Sequence, residues 1–370
     1  MNNNSNHQQE SIPFPLFNQK FFSEFSQDSN LIGHLNQEML HLNHKCQYKW
    51  INQPKSEWTF ENDIKMLVIT WNMHGMIPGY SLKRLFNIEQ VHHDLIVIGT
   101  QECSRSIAIS LLCESKGNWE AKLKEELGKN YVKVQSATLN AMHIIAFAHV
   151  LLIPKIKNGK PYTLSQGFMG IVGNKGGIAI SVNINDKIFL FANSHLESGQ
   201  NAEAKRQTQF SKLETHFENQ VFSSHKNVPY DYLIWTGDFN SRIDQKITTQ
   251  TIRNHSDFFG WLSNDQMYIS RNNSLNYQSY FYEGMIFFPP TYKLLENQNL
   301  WAVGNDFRIP GWCDRILFKE NKKSKIFSST STQGIIENAP SSIQLQNYDA
   351  NFDILGSDHR PVFAQFTVSF

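Results

Sequence analysis

Short apolar runs separated by polar turns fill the chain from Lys65 onward. Met66, Leu67, Val68, Ile69 and Trp71 make an almost unbroken run that predicts a buried strand. Runs at 94–100, 131–139, 141–153 (ended by Pro154), 187–193, 232–235, 313–318 and 362–370 predict further strands, and 178–184 alternates with the period of two of a strand. Helical spacing is carried by Leu82, Leu85, Ile88 and Val91, then by Trp119, Leu123 and Leu127. It is clearest at 201–222, where Ala202, Phe210, Leu213, Phe217 and Val221 share one face. Strands and helices mix, several neighbouring strands are joined by short turns, and no internal repeat is visible. This predicts an α/β fold with mixed sheets rather than an all-parallel doubly wound one.

Five runs end in polar residues of a particular kind. Asn72 follows Trp71, Glu102 follows Gly99, His195 follows Phe191, Asp238 and Asn240 follow Trp235, and Asp358 and His359 follow Leu355. Singly, each has an ordinary explanation: a turn for Gly-Asp-Phe-Asn, a cap for Asn72, a first-turn helix carboxylate for Glu102, a satisfied buried ring for each histidine. Together they fit that explanation badly, because strand ends of one sheet lie side by side and ligands bind there. Period two places Asp238 and Asn240 on one side of an extended chain, with Phe239 on the other. A carboxylate there accepts a proton from water while the amide holds that water in line. The chemistry needing this set is metal-assisted hydrolysis of a phosphate ester. Glu102 and Asn72 suit the oxygen shell of Mg²⁺, the histidines suit the phosphoryl oxygens, and Asp238 suits the attacking water. No cysteine or histidine pairs have zinc spacing, and there is neither a P-loop nor a GxSxG elbow.

Composition narrows the setting. The 370 residues allow one large or two ordinary domains, and 40% hydrophobic residues with 27 Phe and 8 Trp suffice for a substantial core. A net charge of +1 gives no general attraction to nucleic acid, though it permits a local basic pocket. The 4 cysteines have neither disulfide density nor metal spacing, which predicts reduced thiols in the cytoplasm. No run is long enough to span a bilayer, and the polar start has no signal-peptide features. Residues 1–62 read as an extension, Asn/Gln-rich and disordered at its start. In it Phe14, Phe17, Phe21, Phe22 and Phe25 suggest a short amphipathic helix and 31–42 another, serving as a cap, a partner-binding segment or a weak membrane anchor. The catalytic domain is expected over 63–370.

In this order, Trp71-Asn72, Gln101-Glu102, Ser194-His195, Gly237-Asp238-Phe239-Asn240 and Ser357-Asp358-His359 resemble the endonuclease/exonuclease/phosphatase, or DNase I-like, superfamily. WTGDFNSR at 235–242 and PGWCDRIL at 310–317 resemble the two signatures of its inositol polyphosphate 5-phosphatases, and GNKGG at 173–177 and EGMIFFPPTYK at 283–293 are also similar to that branch. The likeness covers about 65–370. It implies a four-layer α/β sandwich, two packed mixed β-sheets flanked by helices. It implies Mg²⁺ at Glu102 with Asn72, supported by Asp358; a water-activating Asp238 with Asn240 beside it; His195 and His359 on the scissile phosphate; and Asp314 orienting His359. A carboxylate on an imidazole nitrogen also fixes its tautomer and favours the protonated ring. Tyr292, Lys293 and Arg308 match positions that hold the 4-phosphate, with Lys175 and Arg315 as further phosphate-side cations.

Two departures stand out: Ser241 replaces an aromatic residue of the signature, and Asp306 replaces a lysine common in the family. The second implies a weaker 4-phosphate grip or another source of charge. Phe168, Met169 and Ile171, beside the cationic loop, match positions that face lipid acyl chains, with Ile107 and Ile109 as a second contact; ordinary packing is the alternative. The expectation is therefore a monomeric, cytoplasmic, peripherally membrane-associated Mg²⁺-dependent 5-phosphatase. It would act on phosphatidylinositol 4,5-bisphosphate, its 3,4,5-trisphosphate relative and soluble inositol polyphosphates, with no nucleic-acid partner. A nuclease, a sphingomyelinase and a silent phosphoinositide-binding module are the rival readings.

Overall fold

Successive residues of the strand Asp63–Asn72 (β1) face opposite ways, and both faces are apolar: Ile64, Met66 and Val68 on one side, Leu67, Ile69 and Trp71 on the other. Such a strand is buried only if both faces are covered. In the computed structural model, which describes residues 11–13, 63–103, 116–166, 175–244, 259–272, 281–302, 307–321 and 342–370, they are. The remaining long strands are Leu95–Gln101 (β2), Tyr131–Leu139 (β3), Met142–His149 (β4), Ile156–Ser165 (β5), Gly176–Ile184 (β6), Lys187–His195 (β7) and Tyr232–Asp238 (β8). Short Tyr282–Glu283 (β9) is followed by Asp314–Glu320 (β10), Ile343–Ala350 (β11) and Val362–Ser369 (β12).

One six-stranded sheet runs β11-β12-β1-β2-β4-β3 and the other β9-β10-β8-β7-β6-β5. Each has one parallel pair at its centre, β1 with β2 and β7 with β8, and antiparallel neighbours elsewhere. The two sheets thus repeat one arrangement. The largest apolar cluster lies between them, with Met66, Val68 and Val97 against Phe189, Phe191 and Ile234. Helix Gly117–Leu127 (α1) covers the outer face of the first sheet with Trp119, Leu123 and Leu127. Helix Glu203–Ser224 (α2) covers the second with Phe210, Leu213, Phe217 and Val221. Helix, sheet, sheet, helix is the expected four-layer sandwich.

Below one end the sheets touch through a polar seam. A Cβ on Gly99 would come within 2.4 Å of Thr236 Oγ1, so the approach requires glycine. Gln101 Nε2 donates to Asn193 Oδ1 at 2.6 Å, and Asn193 Nδ2 donates to the carbonyls of Thr100 at 3.0 Å and His143 at 3.1 Å.

Several expectations change. Of the helix expected through Leu82, Leu85, Ile88 and Val91, only Lys83–Phe86 is helical, and the run 141–153 holds a strand only to His149. Asp358 and His359 do not end a strand: they lie in the turn before β12, whose Val362 pairs with Thr70 of β1. Within 1–62 only Ser11–Pro13 is described, paired antiparallel with Leu300–Ala302. Among the described residues no helix is long and apolar enough to cross a membrane.

Candidate active site

Strand direction brings the polar ends together. In register, Asn72 pairs with Gln101, His195 with Asp238, Asp238 with Asp314 and Gly176 with His195. Glu102 follows β2, Lys175 precedes β6, and His359 precedes β12 beside β1. The first sheet therefore supplies Asn72, Glu102, Asp358 and His359, and the second Lys175, His195, Asp238 and Asp314, all at one end of the sandwich.

Asp238 is the hub. Its Oδ2 accepts from Asn72 Nδ2 at 3.0 Å and lies 3.5 Å from His195 Nε2 and 4.0 Å from His359 Nε2, while Oδ1 accepts the Asn240 backbone N–H at 2.8 Å. Burial works to raise this carboxyl, but His359, Lys175 and the Asn72 bond outweigh it and hold it at about 2. The two histidines are set apart. Burial opposes charge on His359, yet Asp314 Oδ2, 2.8 Å from its Nδ1, lifts it to about 10. Asp314 is itself pushed up by burial, against the pull of the imidazole, and accepts a further bond from Thr291 at 2.8 Å. His195 is pressed down to about 3 by burial and by Lys175, whose Nζ is 2.5 Å from His195 Nε2. One ring is cationic and the other neutral across the working range.

Glu102 is the open carboxylate, with its side chain 31% exposed, 3.8 Å from His195 Nε2 and 3.4 Å from Asn72 Nδ2. Asn72 turns its nitrogen to both carboxylates, since its oxygen accepts the His74 backbone N–H at 3.1 Å. Asp358 Oδ1 is buried without a hydrogen-bond partner among the described residues. An oxygen-rich donor set with an orphaned buried carboxylate oxygen suits a hard divalent cation. Asp238, Asp314 and His359 also bring ligand atoms within 4.8 Å of one another. A cation there would compete with the 2.8 Å Asp314–His359 bond, whereas Glu102 is open and Asp358 Oδ1 is without a hydrogen-bond partner among the described residues, which favours Glu102 and Asp358.

The geometry revises other roles expected from the sequence as well. Asn240 is not beside Asp238 on an extended chain: its φ is 51°, Nδ2 donates to the Leu196 carbonyl at 3.0 Å, and Oδ1 accepts from Arg242 at 2.5 Å. It braces the turn rather than presenting a free amide. Arg315 is not a phosphate-side cation. Its guanidinium is fully buried and spent on Glu283 at 2.5 Å and Asp265 at 2.9 Å. The Ser241 hydroxyl donates to Asp265 at 2.8 Å and accepts from Met267 N at 3.0 Å, a polar tie where the signature has a ring.

Tyr292 reaches the site: its ring lies 4.5 Å from that of His359, with the Arg242 guanidinium 4.9 Å from the tyrosine centroid. Lys293 follows at the half-buried rim, and Arg308 is exposed and donates to the Phe307 carbonyl at 2.8 Å. Phe168, Met169, Ile171, Ile107, Ile109 and Asp306 lie outside the described residues. Sequence reasoning missed two residues. Arg242 ends the 235–242 signature, which was the available signal. His74 has Nδ1 3.4 Å from Asp358 Oδ1 and had none beyond its nearness to Asn72.

Comparison with known proteins identifies the family. Residues 69–365 match the endonuclease/exonuclease/phosphatase family 2 profile. The phosphatidylinositol 4,5-bisphosphate 5-phosphatase INP51 of Saccharomyces cerevisiae is 28% identical over 86% of this chain and 33% of its own length. Inositol polyphosphate 5-phosphatase K of Mus musculus is 26% identical over 81% and 64%. The chain thus spans between a third and two thirds of these relatives. Among solved structures, the inositol polyphosphate 5-phosphatase domain of SPsynaptojanin, in complex with inositol (1,4)-bisphosphate and calcium ion, superposes with a TM-score of 0.66 at 23% identity. The match covers 89% of each chain and supports the shared fold.

Proposed function

The chain belongs to endonuclease/exonuclease/phosphatase family 2, and from that premise we propose that it is a phosphoric monoester hydrolase removing the 5-phosphate of phosphoinositides and soluble inositol polyphosphates, with Mg²⁺ as its cation. The observation that carries the reading is the convergence of Glu102, Asp238, Asp358 and the oppositely charged-state pair His195 and His359 at one end of the sandwich. The relatives' activities and the inositol bisphosphate and calcium named for the SPsynaptojanin domain support the substrate class and a divalent ion.

Glu102 and Asp358 would hold the cation, with Asn72 fixing the carboxylates. When bound, it supplies charge neutralisation at the phosphoryl oxygens and a more acidic water. Held at about 2, Asp238 is a weak ground-state base, so it orients the attacking water and takes its proton only as the new P–O bond forms. His359, kept protonated by Asp314, presents Nε2–H to phosphoryl charge as it develops, and Lys175, whose ammonium donates to Nε2 of the neutral His195, brings positive charge from the other side. Tyr292 and Lys293 line the approach for a neighbouring phosphate. Water attacks directly, with no phosphoenzyme. A cytoplasmic protein peripherally bound at a membrane, through Phe168, Met169 and Ile171, completes the reading.

The test is phosphate release and product identification in Mg²⁺ with phosphatidylinositol 4,5-bisphosphate vesicles and soluble inositol 1,4,5-trisphosphate in parallel. A 4-phosphate product, suppressed by EDTA, is expected, with faster turnover on vesicles. Preference for the soluble compound would remove the membrane part, and no release from either would overturn the hydrolase reading.

A further inference from the structure

His74 stands beside Asp358 and Glu102, the carboxylates proposed to hold the cation, and none of the roles assigned so far uses it. Its Nδ1 is 3.4 Å from Asp358 Oδ1 and 4.0 Å from Glu102 Oε2, while Nε2 lies 3.5 Å from Glu296 Oε1. We propose that His74 is a nitrogen ligand of that cation, which shifts the site's preference from Mg²⁺ toward Mn²⁺ and related transition ions. The inference rests on the cation site proposed above and concerns only its ligand set.

Three observations carry it. The ring is arranged as metal-bound histidines usually are, with one nitrogen toward the carboxylate of Glu296 and the other toward the carboxylates proposed to hold the cation. Nε2 lies 3.5 Å from Glu296 Oε1, and Nδ1 faces the Asp358 and Glu102 carboxylates, so a cation shared by those carboxylates would find Nδ1 beside it. Second, the 3.4 and 4.0 Å separations lie between those of adjacent and opposite ligands around a small octahedral ion, about 3.0 and about 4.2 Å. Third, Asp358 is 7% exposed and its Oδ1, the atom nearest Nδ1, has no hydrogen-bond partner among the described residues. The backbone also commits itself here, since His74 takes a left-handed φ of 48° one residue before Gly75. Imidazole in an otherwise oxygen shell favours later divalent ions over magnesium.

Pulsed electron paramagnetic resonance on the full chain loaded with Mn²⁺ reads the bond directly. Nitrogen modulation from a coordinated imidazole is expected in the wild type and is lost in His74→Asn. The ratio of Mn²⁺ to Mg²⁺ affinity, from competition titration, falls on the order of tenfold in the same variant. His74→Gln repeats the measurement if the first variant does not fold, as judged by near-ultraviolet circular dichroism. Modulation that persists in the variant, or is absent from the wild type although Glu102→Gln abolishes Mn²⁺ binding, overturns the ligand and leaves the cation site standing. Mn²⁺ binding that ignores Glu102→Gln overturns both.

Discussion

At the scale of single residues, the site separates two histidines by their neighbours. His359 has a carboxylate on Nδ1 and stays protonated to about 10, whereas His195 has an ammonium at Nε2 and stays neutral down to about 3. Asp238→Asn keeps the size and loses the proton acceptor, so kcat should fall on the order of 10²-fold or more with the fold intact; full turnover would remove Asp238 from the chemistry. Asp314→Asn acts at a distance by releasing the proton that Asp314 holds on His359. The alkaline limb of the pH–rate profile should move from near 10 toward neutrality. The same pair sets a stability window. Because the folded value of His359 is raised, its contribution is complete below the unfolded value of about 6.5 and is lost as pH rises through about 10. Urea midpoints of wild type and His359→Asn should therefore converge as pH climbs from 7 to beyond 10.

At the scale of elements, each sheet supplies half of the candidate site, so the contact between sheets is part of it. Asn193→Leu removes the acceptor of Gln101 and the donor to two carbonyls, leaving buried polar groups unpaired. A loss of roughly 1–3 kcal/mol in urea unfolding is expected. With it should come a drop in kcat larger than any change in KM, since Glu102 and Asp238 shift relative to each other. Much of this was legible beforehand. Unbroken apolar runs marked β1, β2, β7 and β8 because both faces of these strands are covered, and the polar residue at each run's end reached the candidate site. What was hidden depended on distant partners. The left-handed turn at Asn240 breaks the period-two rule that placed it beside Asp238. Arg315 looked available until Glu283 and Asp265, 32 and 50 residues away, closed on it. The seat of Asp358 and His359 before a strand, rather than after one, follows from the pairing of β12 with β1, which no local pattern announces.

At the scale of the whole molecule, three carboxylates, Glu102, Asp238 and Asp358, crowd one end of the sandwich. Mg²⁺ bound there only in the native state should raise the melting temperature, and at a hundred times its dissociation constant it adds about 2.7 kcal/mol. EDTA should reverse the shift, and Glu102→Gln should shrink it; an unchanged melting curve would count against the site. The position of β12 carries a different consequence, for biosynthesis. Its place is between β11 and β1, and Trp71 Nε1 and the Asn72 carbonyl are bonded by His359 and Ser357, 288 and 285 residues further on. A nascent chain leaving the ribosome therefore carries β1 with one edge unpaired until nearly all of the domain has been made. The half-built sheet is an opening for chaperones or for aggregation, and the two halves of the candidate site meet only when β12 slots home.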